Sequence, residues 1–407
     1  MSFISIIILI LLCFSLTDFI LPRNKRLHEQ LYKVAFFITF FLFTIKYYYG
    51  ADVINYYRYF SLITSPLSVL EADDNVFEIG FMLYMSIIKW LGLSYWWVTA
   101  FVSVIYFYAI YKLFELIPTH KIFALFILVV LDYNLIFATH RQCLAVSFFI
   151  LMYFAYVNKK YFQTITYAIL TITMHKSGIV YVLPTLFLWG INFKVRKADY
   201  FVCLLLLVII SFIPLKEVMT YLTAFLPLSE AVKISLMHHI SFLSKSMGMM
   251  LFYIVILSLI FFFSVKDPRF NEMHVIIFIG AVYIFMFNQS NAVLWRLRSY
   301  FLPFMIVYIF YIFNKVRDEQ YVEINKLRKN LVSPILISSF CYVLMFVLYL
   351  AYSANISMTE MPSRIYETCT IFDLIDRTEE EIKVDRFQRA QKYWKAERMY
   401  IKKLNEE

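Results

Sequence analysis

The chain has 407 residues, 62% of them hydrophobic and only 16% charged, with a mean hydropathy of +0.70. A soluble domain carries about 25% charged residues, so a soluble fold is excluded, and no alternating ten-residue pattern supports a membrane β-barrel. The net charge of +10 reads as basic residues crowding cytoplasmic loops rather than as a nucleic-acid footprint.

Apolar runs near the ~20 residues that cross a bilayer recur along the chain. They predict spans at 3–21, 33–49, 95–117, 121–139, 141–157, 161–175, 177–192, 199–214, 249–265, 273–288, 300–314 and 331–352. The expected fold is all-α: a polytopic integral membrane protein of about 12 transmembrane helices, occupying 1–353 and followed by a charged tail, 354–407. The first run is followed by Arg23–Arg26 and not by a small-residue cleavage site, so no cleavable signal is expected. Cys13, Cys143, Cys203, Cys341 and Cys369 show no metal or redox spacing. No cofactor is implied.

Charge sets the sidedness. The connectors RNKRLHEQLYK, YKLFELIPTHK, NKKY, KVRK, KDPR and NKVRDEQYVEINKLRK hold 18 of the 38 Lys and Arg, which marks them cytoplasmic. The N-terminus is then outside. The segment VFEIGFMLYMSIIKWLGL, 76–93, breaks the count: a full crossing would put every later basic loop on the wrong side. It is expected to re-enter or to lie along the membrane, where irregular backbone is tolerated only against a protein cavity. External segments are then 50–76, the turns at 139–141 and 175–177, the loop 215–248 and 289–299. The loop 215–248 reads as an amphipathic helix, with His238 and His239 on its polar face. The tail should be external too. It holds ten basic and eleven acidic residues and reads, from Asp373 to Leu404, as a solvated charged helix.

Outside the cytoplasmic loops and the tail, ten basic residues remain: Lys46, Arg58, Lys89, Arg141, Lys176, Lys216, Lys233, Lys245, Arg296 and Arg298. Charges near mid-bilayer cost at least about 2.5–3.5 kcal/mol, so they tend to face a cavity or a partner. Arg141, Lys176, Arg296 and Arg298 fall at one outer face. Arginine forks bind phosphate oxygens bidentately and lysine adds a point charge, so this set suits a diphosphate. Each taken alone is equally a snorkelling interface residue. Asp132 is expected to pair with an outer arginine. Asp52 and Glu78 are candidates for sugar hydroxyl contacts or base chemistry. His175 titrates in the range of a general base, and is equally a substrate donor or a core histidine. The tyrosines of YYYGADVINYYRYF, 47–60, suit sugar faces or the membrane interface.

These residues also carry a resemblance. KYYYGADVINYYRYF is similar to the R-Y-x-x-G-x-D-x-x-x-Y element of EpsG/Wzy-type polysaccharide polymerases, with Lys46 for the usual arginine. FEIGFMLY resembles their E-P-G-Y element, with Ile79 and Phe81 substituted. HRQCLAVSFF, TMHKSGIVYVLP and WRLRSYF resemble the arginine–glutamine, histidine–serine–proline and late arginine–tyrosine elements, in the family's order over about 40–310. The resemblance implies a GT-C-like, metal-independent glycosyltransferase of the bacterial inner membrane. It would join undecaprenyl-diphosphate-linked oligosaccharide repeat units on the periplasmic face and release undecaprenyl diphosphate. Its site would comprise His175, Asp52 and Glu78 for catalysis and Arg141, Arg296, Arg298 and Lys176 for the diphosphate. Lys46, Tyr56, Arg58, Gln142 and Tyr300 would contact substrate. Partners implied are lipid-linked oligosaccharides, membrane lipids, a flippase and a chain-length regulator, and no nucleic acid.

Rival readings are a lipid-linked sugar flippase, which should show repeats and broken helices in matching halves, and an O-antigen ligase. An acyltransferase would place a histidine toward a cytosolic donor. A scaffold leaves the outer arginines without a role.

Overall fold

The computed structural model describes residues 3–20, 24–48, 51–71, 77–211, 254–261, 267, 270–287, 291–317 and 369–406. Among these the chain is helical, with no strand and a single isolated β-bridge. Helices α1 to α6 are Phe3–Ile20, Lys25–Thr44, Ala51–Leu62, Pro66–Glu71, Ile79–Trp90 and Trp96–Phe114. Helices α7 to α11 are Lys121–Ala138, His140–Val157, Tyr161–Met174, Gly178–Gly190 and Lys197–Ser211. Then come α12, Asn271–Phe287, α13, Asn291–Arg317, a 3-10 turn at Ile371–Ile375 and α14, Glu379–Glu406. The expected loop helix at 215–248, the span at 331–352 and Gly50 lie outside the described residues.

Two compact units divide the chain. The first is Met1–Val182 with Ile306–Arg398; the second is Leu183–Met305 with Met399–Glu407. In the first, α8 is almost wholly buried and packs on α6 and α9, while α7 packs on α1 and α2. Links of one to three residues join α7 to α8, α8 to α9 and α9 to α10, and α8 and α9 pack side by side across theirs. Thr139 alone separates α7 from α8, at φ −108 and ψ 69, and Lys159 takes the left-handed conformation in the next link. A phenylalanine seam of Phe36, Phe40 and Phe43 packs on Phe107 at centroid distances of 5.5, 5.9 and 5.3 Å. Aromatic pairs of this kind add about 0.5–1.5 kcal/mol each beyond area burial.

In the second unit α11 packs on α12, with Trp189 Nε1 donating to the Glu272 carbonyl at 3.1 Å. Gly280 faces the Phe301 ring so closely that a Cβ there would overlap it.

Among the described residues, three helical stretches are long and apolar enough to cross a membrane: Tyr95–Phe114, His140–Val157 and Arg296–Lys315. Shorter apolar helices accompany them, among them Ile79–Trp90 and Gly178–Gly190. Large apolar side chains stand outward along these helices, such as Phe162 at 84% and Trp90 at 69% exposed. A hydrophobic exterior of that kind belongs in lipid. Helix α5 has 12 residues, a rise of about 18 Å against a hydrocarbon core of about 30 Å. It is too short to cross.

Two expectations need correction. Arg296 and Arg298 were placed in an external loop before a span at 300–314, but α13 already begins at Asn291, so both lie in its first two turns. The tail is not a free solvated helix. Ile382, Arg386 and Ala390, one every fourth residue, are 0%, 2% and 0% exposed, so one face of α14 is docked.

Candidate functional site

Helix α5 starts at Glu78, whose carbonyl receives the Phe81 and Met82 amides at 3.0 and 3.1 Å. Its carboxylate makes no cap bond to its own helix and is used elsewhere. Oε2 accepts from Arg141 Nη1 at 2.5 Å, and Oε1 accepts the Lys176 backbone N–H at 3.2 Å. One carboxylate therefore ties the start of α5 to the start of α8 and to the turn before α10.

Arg141 is the second residue of α8. Its Nε donates to the Tyr56 hydroxyl at 3.4 Å, and the guanidinium lies 4.8 Å from the Phe77 ring centroid and 5.6 Å from that of Tyr56. The arginine is thus bonded by an acid and a phenol and lies against two rings. Its side chain keeps 23% exposure and that of Glu78 14%. Burial alone would raise the Glu78 carboxyl. The Arg141 charge together with backbone amide hydrogen bonds, that of Lys176 among them, outweighs it and holds the group below its ordinary value of 4.5. Sequence reasoning gave Asp132 to an outer arginine. The carboxylate on Arg141 is Glu78; Asp132 is fully buried at a kink inside α7, with φ −124 and ψ 23.

The turn 175–177 supplies the third wall. His175 leaves α9 in an extended conformation and is 9% exposed. Its Nδ1 lies 2.6 Å from Ser177 Oγ and accepts the Ser177 backbone N–H at 3.2 Å. An atom that accepts from an amide carries no proton, so the neutral ring holds its proton on Nε2. In that form His175 offers a donor at Nε2. The Lys176 side chain is exposed. Gly178 follows because a Cβ there would meet the Thr171 carbonyl oxygen at 2.7 Å, and Gly80 lets α5 close on α9, where a Cβ would meet Thr173 Oγ1 at 2.6 Å.

The starts of α5 and α8 and the turn leading into α10 therefore meet around Glu78. Helix N-termini carry the positive end of the macrodipole and unpaired N–H groups. With Arg141 and the Lys176 chain at the same place, the arrangement attracts anions and offers donors to phosphate oxygens.

The remaining predicted residues distribute as follows. Asp52 lies in the first turn of α3, one turn before Tyr56. Tyr56 is buried, as are Tyr47 and Tyr48; Tyr48 stacks on Tyr95 at 5.7 Å and contacts Tyr57 edge-on at 5.0 Å. These tyrosines are packed into the fold, so they are not open sugar platforms. Arg58 is exposed on α3 and Gln142 is buried on α8. Lys46 is 1% exposed, its Nζ 5.8 Å from the Phe43 ring centroid. Arg296, Arg298 and Tyr300 belong to the second unit, with Arg296 exposed and the other two buried.

One residue escaped the sequence reading. His140 precedes Arg141, is fully buried, and neither ring nitrogen has a hydrogen-bond partner among the described residues; its ring lies 5.7 Å from that of Tyr56. Its place in THRQ was the available signal. Lys89 caps the end of α3, its Nζ donating to the Phe60 and Ser61 carbonyls at 2.9 and 2.8 Å. That accounts for one charge in the apolar segment 76–93 without a substrate.

The family model that matches the chain is described as the EpsG family and covers residues 30–362. No curated protein and no solved structure matches.

Proposed function

The chain belongs to the EpsG family, and from that premise we propose that it is a polysaccharide polymerase of the membrane, a glycosyltransferase acting on lipid-diphosphate-linked repeat units. The observation that carries this reading is Arg141, braced by Glu78, Tyr56 and Phe77 where the starts of α5 and α8 meet the turn before α10. Such a cation, held in place before reaction, is suited to charge that develops on a leaving group.

In the proposed step an acceptor sugar hydroxyl attacks the anomeric carbon of the lipid-linked chain. A new C–O bond forms as the bond from that carbon to the diphosphate oxygen breaks. The electron pair leaves with the lipid diphosphate, and the hydroxyl proton passes to a base. Arg141, the Lys176 side chain and the α8 N-terminus take the developing diphosphate charge. Glu78 has both oxygens engaged and acts as a positioning residue for Arg141. His175 donates from Nε2 to substrate oxygen, and Asp52, one turn before Tyr56, accepts the proton. Arg296 and Arg298, in the first turns of α13, keep the diphosphate role that the family resemblance implies. The remaining assignments follow the family resemblance: about 12 crossings in a GT-C-like arrangement, a periplasmic site and an undecaprenyl carrier in a bacterial inner membrane. A transmembrane body at 1–353 with a charged tail, a chain-length regulator and a flippase complete the proposal.

Purified full-length protein with a synthetic lipid-diphosphate repeat unit tests it. A ladder of polymer formed without nucleotide sugar or proton gradient is expected. Movement of intact lipid-linked units across vesicles with no ladder would overturn the reading in favour of a flippase. Transfer to a lipid A core alone would favour a ligase.

A further inference from the structure

The described end of the chain returns to its beginning. Lys46 and Thr370 form an antiparallel bridge, flanked by Tyr47 N–H donating to the Cys369 carbonyl at 2.9 Å and Ile371 N–H donating to the Ile45 carbonyl at 2.8 Å. The main chain is therefore pinned on both sides of Lys46. The pinning strand is itself braced: Asp373 Oδ2 accepts from the Thr370 amide at 2.6 Å and from its hydroxyl at 3.0 Å.

Side chains repeat the attachment. Tyr48, at φ 45, reverses the chain after Lys46 and donates its hydroxyl to Glu379 Oε1 at 3.1 Å. A non-glycine residue in that region of φ is held only where its surroundings fix it. Lys383 Nζ lies 3.3 Å from Glu379 Oε1 and 4.8 Å from the Tyr57 ring centroid, and Phe387 meets Tyr57 edge-on at 6.4 Å. The grip thus covers Ile45 to Tyr57, the stretch that contains Asp52 and Tyr56.

Lys46 is the buried object of this grip. A lysine 1% exposed does not stay in place through solvent contact. Its placement depends on the backbone that carries it, and that backbone is fastened to residues more than 300 positions later in the chain.

We propose that Cys369 to Phe387 is a positioning strap of the site, fixing Lys46 directly and Arg141 through Tyr56, so that both cations serve the departing diphosphate. The role for Lys46 rests on the polymerase reading above; the docking of the strap does not. The strap grips the segment whose Tyr56 bonds to Arg141. Glu379 is the residue that transmits the effect, through Tyr48.

Two measurements on the full-length protein test this separately. The first reads docking from the native Cys369 thiol, which is 1% exposed, by maleimide labelling followed by mass analysis at that site. Glu379→Ala and Tyr48→Phe should raise its labelling rate by about tenfold, the scale of one hydrogen bond to a charged group, and Glu379→Gln, which keeps an acceptor, should not. Unchanged labelling in both overturns the strap. The second reads polymerisation kinetics. Glu379→Ala should lower kcat by about tenfold with KM for the lipid-linked unit little changed, and Glu379→Gln should recover most of it. In a Lys46→Gln background, Glu379→Ala should cause no further loss, since it acts through that lysine. Multiplying losses, or a fall in folded protein that matches the fall in rate, overturn the positioning role. If the wild type makes no polymer while the labelling pattern holds, the polymerase reading fails and the docked strap stands.

Discussion

Replacing Glu78 with glutamine isolates the contact on which the site is built. The side chain keeps its shape and its Oε1 acceptor for the Lys176 amide, so the 175–177 turn should survive. What is lost is the charge that faces Arg141 at 2.5 Å. Removing one partner of a fully buried ion pair costs about 3–5 kcal/mol, and a hydrogen bond to a charged group is worth about 1.5–3 kcal/mol. With 14% and 23% of the two side chains exposed, the lower figures apply, at about 2–3 kcal/mol. If Glu78 serves catalysis by holding Arg141, kcat/KM should fall by about 30- to 150-fold. The assay is initial-rate ladder formation from a synthetic lipid-linked repeat unit. The same contact predicts a pH effect on stability. The folded Glu78 carboxyl lies below its ordinary 4.5, so its stabilisation is complete above that value and is lost as pH falls through the lower, folded value. Thermal unfolding in detergent should show that acid limb in the wild type and a weaker one in Glu78→Gln. A wild-type rate in the variant would refute the reasoning.

Four further outcomes follow from the same geometry. Arg141→Lys keeps the charge but cannot bond Glu78 and Tyr56 at once, so polymer should shorten by turnover loss of about tenfold or more; wild-type chain length would contradict this. Gly80→Ala should lower thermal stability by about 1–3 kcal/mol through overpacking, because the new Cβ meets Thr173 Oγ1 at 2.6 Å and the Thr173 carbonyl at 2.8 Å. Thr173→Ala should rescue it only in part, since the carbonyl remains. His175→Asn should keep more activity than His175→Ala if the ring is a donor at Nε2. A pH–rate limb that vanishes in His175→Asn would mark a base instead. Arg296→Ala and Arg298→Ala should each leave single-repeat product and abolish long chains, read on polysaccharide gels; normal chain length in both would remove them from the diphosphate.

The helices of the first unit were legible because lipid imposes one rule on every residue. Apolar runs at 121–139, 141–157, 161–175 and 177–192 correspond to α7 through α10 within a few residues. The three-residue link between α8 and α9 makes those two neighbours. Site residues were legible as types, since Arg141, Glu78 and His175 are polar groups at the ends of apolar runs, where each needs a reason to be present. Partner choice was not legible. Asp132 is nine residues from Arg141 and Glu78 is sixty-three, yet Glu78 makes the pair, because Gly80 lets α5 approach α9 and brings the start of α5 to that of α8.

The tail makes the same division sharper. Its composition, with nearly equal acids and bases, describes a helix that could sit in water, and α14 is that helix. Only the tertiary structure decides that Ile382, Arg386 and Ala390 are covered and that Thr370 pairs with Lys46. Period and composition are local properties, set by hydrophobicity and hydrogen-bond geometry within a few residues. Which carboxylate meets which arginine, and which strand pins which lysine, depends on close approach between segments tens to hundreds of residues apart, and that is fixed by packing.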